Sequence, residues 1–161
     1  MKKLILVFVC LFTAFTAFSQ NIKDEVALIQ SEYSLNKKQI IVDQMQFTEE
    51  ESAKFWPLYD KYEIARKELG KKRVDYILNY ADNYSHLTNE KASELIDAAF
   101  KNQADLTELQ KKTFDEMSVA ITPLRAAQFM QIEVYMETIV RMEISEQIPL
   151  VKDPDDKKKK H

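Results

Sequence analysis

Apolar residues recur at alternating spacings of three and four along most of this chain, a pattern that is typical of amphipathic helices. The clearest segment predicts a helix from Glu49 to Tyr80, in which one seam combines aromatic residues with two arginines. The seam positions are Phe55, Tyr59, Tyr62, Arg66, Leu69, Arg73, Tyr76 and Tyr80. Pro57 lies past the first turn and removes a backbone donor, so we expect it to bend this helix near Ala53.

Other segments with the same periodicity predict the rest of the fold. A first helix is expected from Asp24 to about Gln44. After a polar loop at residues 81–86, a third helix is expected from the Thr88 cap to about Ser118. The last helix follows Thr122 and runs to about Glu146. Its apolar surface is so wide that we expect burial on more than one side.

Three of the predicted helices share a start signal, in which an apolar residue precedes a threonine. Thr48, Thr88 and Thr122 are each placed to act as the N-cap, because a threonine hydroxyl accepts a free backbone N–H of the first turn. Glu51 completes a capping box with Thr48. Pro123 occupies the first position of the last helix, where its missing N–H costs nothing. These local signals predict where the helices begin.

Composition supports an all-α chain, since the sequence has one Gly and four Pro among 161 residues. That is too little turn chemistry for a many-stranded β fold. We therefore predict four amphipathic helices arranged as long hairpins. Their apolar faces exceed what one thin layer can cover, so a homodimer, such as a dimeric bundle, is expected. The net charge of −3 disfavours nucleic-acid binding, which needs clustered Lys and Arg.

The beginning of the chain has the layout of a secretory signal peptide. Residues 1–19 start with two lysines, continue with an apolar run from Leu4 to Phe18, and place small residues before a cleavage site near Ser19/Gln20. The run is shorter than a membrane-spanning helix requires. We therefore expect this segment to be removed and the protein to be exported.

Export leaves one helical domain at residues 20–151 and a short tail. Residues 152–161 are rich in Asp and Lys and are predicted to be a charged, disordered tail. Membrane contact through its lysines at 157–160 is not expected. The exported domain has no cysteine, because Cys10 lies in the removed segment, so its stability must come from packed apolar surface.

Side chains for catalysis are scarce. His86 falls in the predicted loop and His161 is the last residue, so no serine, cysteine or zinc hydrolase constellation can be assembled. A single glycine leaves no Gly-rich phosphate loop. We predict no enzyme activity and no cofactor.

A metal site is not predicted either. His86 has Asp82 nearby, and the tail combines several acids with a histidine. The acids of this tail cluster are Asp153, Asp155 and Asp156. Neither group has closed ligand spacing, so a solvated loop and tail are the favoured interpretation.

The repeated start signal carries a resemblance to a known family. Residues 47–51, 87–91 and 121–125 resemble degenerate copies of the Leu-Thr-x-x-Gln motif of the Spy/CpxP group of bacterial periplasmic proteins. Residues 47–62 are similar to largely uncharacterised exported helical proteins at the edge of this group in Gram-negative bacteria. Residues 127–150 resemble the C-terminal helix of those proteins. The glutamine of the motif is Glu51, Lys91 or Arg125 in the three copies.

The resemblance implies a periplasmic, all-helical protein that dimerises into a curved cradle. It further implies an ATP-independent, chaperone-like protein of the envelope stress response, which binds unfolded envelope proteins. One alternative is a signalling partner that docks on the periplasmic domain of a membrane stress sensor. Another is a structural envelope protein. A chaperone would expose an apolar patch, whereas a dedicated partner would present a more polar and geometrically fixed surface.

The aromatic seam of the second helix is the candidate surface for a client or partner. Methionines of the last helix can contribute to it, because Met adapts to many shapes. The candidate residues are Phe55, Trp56, Tyr59, Tyr62, Arg66, Arg73, Tyr76, Met130, Met136 and Met142. Aromatic residues at helical spacing also commonly form a core. The two arginines could hold client carboxylates, pair with acids across a dimer, or form buried ion pairs.

Overall fold

A computed structural model describes residues 36–151 of the chain. Within this range the fold is helical and contains no strand, which confirms the all-α prediction. Helix α1 has its described residues at 36–45, and the start predicted at Asp24 lies outside the described residues, as do the signal peptide and the tail. The other helices are α2 (Glu49–Asn83), α3 (Asn89–Ala120) and α4 (Pro123–Glu146).

The predicted helix caps are confirmed. The hydroxyls of Thr48, Thr88 and Thr122 each accept the backbone N–H of the residue three positions later. At Thr48 the capping box is complete, because the backbone N–H of Thr48 also donates to Oε2 of Glu51 at 2.9 Å. Each cap satisfies a backbone donor that the first turn leaves free.

The predicted loop at residues 81–86 is wrong. Residues 81–83 continue α2, and Tyr84–His86 form a short 3₁₀ turn. The polar side chains of this segment are satisfied inside the helix, since Nδ2 of Asn83 donates to the carbonyl of Asn79 at 2.8 Å. Polar composition alone therefore did not mark the end of α2.

Helix α2 also continues through Pro57. The missing N–H of a proline removes one backbone hydrogen bond, but the aromatic contacts on either side hold this part of the helix. The centroid of the Phe55 ring lies 5.1 Å from that of Trp56 and 5.8 Å from that of Tyr59. A bend near Ala53 stays a prediction.

The long helices α2 and α3 pack against each other, as α3 does against α4. Nζ of Lys61 lies 3.0 Å from Oε2 of Glu116, and Nδ2 of Asn102 donates to the carbonyl of Leu69 at 2.9 Å. A later position in α2 thus meets an earlier position in α3, so these two helices run in opposite directions.

Helices α2 and α4 run in the same direction. The hydroxyl of Tyr62 reaches Oε1 of Glu133 at 2.8 Å, and Nη1 of Arg73 reaches Oε1 of Glu137 at 2.8 Å. The α1, α2 and α4 helices and the end of α3 enclose the main core. Its buried members are Ile41, Met45, Phe55, Tyr59, Tyr62, Met117, Ala126 and Phe129.

Candidate functional site

The aromatic seam of α2 lies in the core. Phe55, Tyr59 and Tyr62 leave only 0%, 2% and 1% of their surface exposed, and Met136 leaves 5%. The rings of Phe55 and Tyr62 meet the ring of Phe129 in α4 edge-on, with centroid distances of 5.2 Å and 5.9 Å. The prediction of a client surface is therefore wrong at these four residues. Burying large apolar side chains between α2 and α4 is more favourable than exposing them to water.

The other candidate residues lie at the margin of the core. Five of them are half-buried, namely Trp56, Arg66, Arg73, Tyr76 and Met130, whereas Met142 is 58% exposed. The structure brings Trp56 onto Phe47 and Tyr59, at centroid distances of 6.5 Å and 5.3 Å. Only Met142 of the predicted set therefore has an open side chain.

A buried network of charges lies beside the aromatic core. Nζ of Lys37 lies 2.9 Å from Oε2 of Glu63 and 2.6 Å from Oε2 of Glu133. The hydroxyl of Tyr62 donates to Glu133 at 2.8 Å, and Nη2 of Arg66 donates to Oε1 of Glu63 at 2.8 Å. Sequence periodicity missed this network, because Lys37 and the two glutamates fall on helix faces where apolar residues are expected.

The network shifts the pKa values of Glu63 and Tyr62 in directions that favour a charged glutamate and a neutral tyrosine. Burial by itself would raise the pKa of Glu63, but the hydrogen bond from Arg66 and the charge of Lys37 lower it to about 2. Burial raises the pKa of the Tyr62 hydroxyl, and the charge of Glu133 raises it further. Every group is thus tied to a neighbour, and the arrangement fits a structural clamp joining α1, α2 and α4 rather than acid–base chemistry.

A second ionic group occupies the far end of α2. Oε1 of Glu137 accepts from Nη1 of Arg73 and from Nε of Arg141, both at 2.8 Å. Burial lowers the pKa of Arg73, and the charge of Glu137 opposes that effect. Arg66 and Arg73 are therefore both paired with acids of the same chain. Of the three roles predicted for them, this is the ion pair within the fold.

Large apolar side chains remain open to solvent on the outer faces of the long helices. On α3, Ile96 and Phe100 are 55% and 70% exposed and lie one turn apart. On α4, Leu124 and Tyr135 are 71% and 68% exposed. The wide apolar surface of the last helix led us to expect burial on more than one side, but among residues 36–151 no helix covers Leu124 and Tyr135.

Comparisons with known proteins give no further guide. No family model, curated protein or solved structure matches this chain. The resemblance to the Spy/CpxP group stays a prediction, and function has to be inferred from the surfaces of the chain itself.

A groove lies between α2 and α3. It has a volume of about 340 Å³ and is lined by both acids and lysines. The lining includes Lys72, Asp75, Tyr76, Glu94, Lys101 and Asp105. Apolar surface from residues such as Leu95 and Ala98 lies between these charges, and the mixture suits an amphipathic segment of another protein.

Two further features of the described residues concern metal binding and membrane insertion. Among residues 36–151, no group of His, Cys, Asp and Glu side chains has the grouping needed to hold a metal ion. In the same range, no helix combines the length and apolar character needed to span a membrane.

Proposed function

We propose that this chain is an exported, ATP-independent, chaperone-like protein that binds unfolded proteins of the bacterial envelope. The observation that supports this proposal is the exposure of large apolar side chains on the outside of the long helices. Phe100 is the leading candidate for client contact, because an aromatic ring that is 70% exposed offers a large apolar area to a partner.

Ile96 extends the Phe100 surface by one helical turn. Together they form what we call the α3 patch, defined as Ile96 and Phe100. Charged side chains stand beside it, at Asp97 and Lys101. A small apolar patch with a charged rim favours weak and reversible binding of many clients over permanent association.

The proposed protein acts in the periplasm after loss of its signal peptide. It is built on long helical hairpins, with α2 paired to α3 and α3 to α4, and works as a homodimer. Binding and release of clients need no nucleotide, because a chaperone of this kind relies on apolar contact that weakens as the client buries its own apolar residues during folding.

Aggregation suppression tests the proposal. The exported chain, mixed in stoichiometric amounts with a chemically denatured client, should reduce light scattering in the absence of ATP. The double variant Ile96→Ser/Phe100→Ser should lose most of this effect, since it removes the α3 patch without touching the core. Circular dichroism checks that helicity is retained.

Ile64→Ser is the matched control. Ile64 is 69% exposed on α2, so the control variant loses an equally open apolar side chain outside the α3 patch. The control should keep the wild-type level of suppression. Failure of the wild-type chain to suppress scattering even in excess would overturn the chaperone proposal, and equal losses in both variants would remove the α3 patch from it.

The groove between α2 and α3 favours a second candidate, the signalling partner of a membrane stress sensor. Two packed helices hold its lysines and acids at fixed positions, and a fixed arrangement of opposite charges favours a single dedicated partner. Charge reversal at Lys72 and Lys101 should then abolish the stress response controlled by the chain in cells and leave aggregation suppression unchanged. A normal response in that variant would argue against this candidate.

A further inference from the structure

The groove between α2 and α3 contains an asparagine whose amide is only half used. Asn102 of α3 lines the groove and is only 6% exposed. Its Nδ2 donates to the carbonyl of Leu69 at 2.9 Å, but no residue between 36 and 151 donates a hydrogen bond to its Oδ1. Amide oxygens at such buried positions ordinarily have a donor. Asn102 therefore presents an unused acceptor to a molecule that fills the groove.

A second asparagine in the groove offers the complementary group. Asn79 of α2 is half-buried and lines the same groove. Its Oδ1 accepts from Nδ2 of Asn83 at 2.9 Å, and this bond fixes which way the amide points. Within the described part of the chain, Nδ2 of Asn79 has no acceptor. The groove thus has a free donor on α2 and a free acceptor on α3.

The two asparagines lie at opposite ends of the groove. The side chain of Asn102 bonds to the carbonyl of Leu69, so the two residues are level with each other. Asn79 comes ten residues after Leu69 in the same helix, which is a distance of about 15 Å along the axis. An extended polypeptide rises about 3.3 Å per residue, so about five residues span this distance.

The charges that line the groove balance one another. Its lining contains one more acid than lysine, but two of the acids are already paired with lysines of α3. These pairs are Lys101 with Asp105 at 3.0 Å and Lys91 with Glu94 at 2.8 Å. The other charged residues of the lining are Lys72 and Asp75, one of each sign. A lining with so little net charge suits a neutral ligand better than an anion or a cation.

We propose that this groove binds the backbone of an extended segment of an unfolded client protein. Oδ1 of Asn102 accepts a backbone N–H of the client, and Nδ2 of Asn79 donates to a backbone carbonyl about five residues away. The inference rests on the proposed chaperone function and names the form in which the client is held. Every polypeptide carries these backbone groups, and in an unfolded segment they are not paired within the chain. Recognition through them does not depend on the sequence of the client.

Apolar contact supplements these two hydrogen bonds. Leu95 and Ala98 lie in the lining between the asparagines and can contact small side chains of the bound segment. Ile96 of the α3 patch directly follows Leu95 in the chain, so the patch borders the groove. A client can therefore place its backbone in the groove and its larger apolar side chains on the α3 patch.

A peptide titration of the exported chain tests the inference. The probe is a hexapeptide of Ala, Val and Thr with acetylated and amidated ends, and it carries no charge. Proton–nitrogen NMR spectra should show the side-chain amide signals of Asn79 and Asn102 shifting as the peptide binds. A peptide of the same composition in another order should bind equally well. The N-methylated peptide should bind about 10-fold more weakly, because it has lost its backbone donors. Equal binding of the N-methylated peptide, or no shift at millimolar concentration, would overturn the inference.

Variants locate the binding site. Asn79→Leu should weaken peptide binding about 10-fold, and it spares the fold because Nδ2 of Asn83 keeps its bond to the backbone carbonyl of residue 79 at 2.8 Å. Asn102→Leu should have a similar effect. Gln103→Leu is the control, since it removes an exposed amide next to Asn102 that does not line the groove. Circular dichroism checks the helicity of each variant. An equal loss of binding in the control would remove the groove from the inference.

This inference and the chaperone proposal fail separately. A chain that suppresses aggregation but does not bind the uncharged peptide overturns only the role of the groove. A chain that binds the peptide through its backbone but suppresses no aggregation overturns only the chaperone proposal.

Discussion

Nζ of Lys37 lies 2.6 Å from Oε2 of Glu133, and their side chains are only 6% and 3% exposed. This pair links α1 to α4 next to the aromatic core. Oε2 of Glu133 has no hydrogen-bond partner of good geometry among the described residues, and the Lys37 ammonium is the nearer of the two cations that balance this carboxylate, since Nε of Arg66 lies 3.8 Å from Oε1. A buried carboxylate with one close cation is a sensitive point of the fold.

Replacing Lys37 by Met should strongly destabilise the protein. The variant keeps the apolar stem and removes the ammonium, which leaves Glu63 and Glu133 with less compensation inside the fold. Breaking a buried ion pair in this way costs about 3–5 kcal/mol. Urea unfolding followed by circular dichroism at pH 7 measures the loss.

Lys38→Met is the matched control, one residue further along α1. Lys38 pairs with Asp60 at 2.9 Å, but these side chains are 58% and 60% exposed. An exposed pair contributes about 0–1 kcal/mol, so the midpoint of unfolding should hardly move. Similar losses in the Lys37 and Lys38 variants would contradict a special role for the buried network.

Acid should weaken the fold through Glu63. The hydrogen bond from Arg66 and the charge of Lys37 outweigh burial and lower the pKa of Glu63 to about 2, from an ordinary value of 4.5. Because the folded-state pKa is depressed, its contribution to stability is complete above about pH 4.5 and is lost as the pH falls towards 2. The contribution is on the order of 3 kcal/mol.

The measurement compares the wild type with Glu63→Gln from pH 7 to pH 2.5. The wild type should lose stability more steeply below pH 4.5, since the variant cannot take up this proton. The difference between the two curves isolates Glu63 from the other carboxyl groups. Parallel curves would mean that Glu63 is not held ionised by its neighbours.

Tyr62→Phe tests the hydrogen bond between the aromatic core and the charge network. The ring is retained, so its contact with Phe129 remains, but Glu133 loses a donor at 2.8 Å. A hydrogen bond to a charged group contributes about 1.5–3 kcal/mol. Thermal and urea unfolding should show a loss of this size.

Tyr84→Phe serves as the control for Tyr62→Phe. The Tyr84 hydroxyl donates to the carbonyl of Leu150 at 3.2 Å in an exposed position, where water can replace it. Its loss should change stability by less than about 0.5 kcal/mol. An equal loss in both variants would show that burial beside Glu133 does not strengthen the Tyr62 bond.

Local chemistry in the sequence was enough to place the helix starts. Thr48 and Thr122 cap their helices through neighbouring residues, so no distant part of the chain is needed to recognise them. The end of α2 was harder, because Asn79 and Asn83 satisfy each other inside the helix. Residues that favour turns can thus remain helical when they find a partner one turn away.

Pattern alone could not assign each face to the core or to solvent. Tyr59 and Phe100 both stand in helical apolar stripes, yet one is 2% and the other 70% exposed. The outcome depends on which helix packs alongside, and spacing does not contain that information. The burial of Lys37 was equally hidden, because lysine is ordinarily exposed and its partner Glu133 lies on the far helix α4.

Thr48, the N-cap of α2, should contribute more to stability than a threonine in the interior of a helix. Thr48→Ala removes the hydroxyl that accepts the N–H of Glu51 at 3.2 Å and should cost about 1 kcal/mol. Thr107→Ala is the comparison, since its hydroxyl donates to the carbonyl of Gln103 at 2.9 Å within an exposed stretch of α3. Alanine favours a helix interior, so this change should be within about 0.5 kcal/mol of neutral. Urea unfolding measures the change in unfolding free energy for both variants. An equal change would mean that the capping box adds no stability.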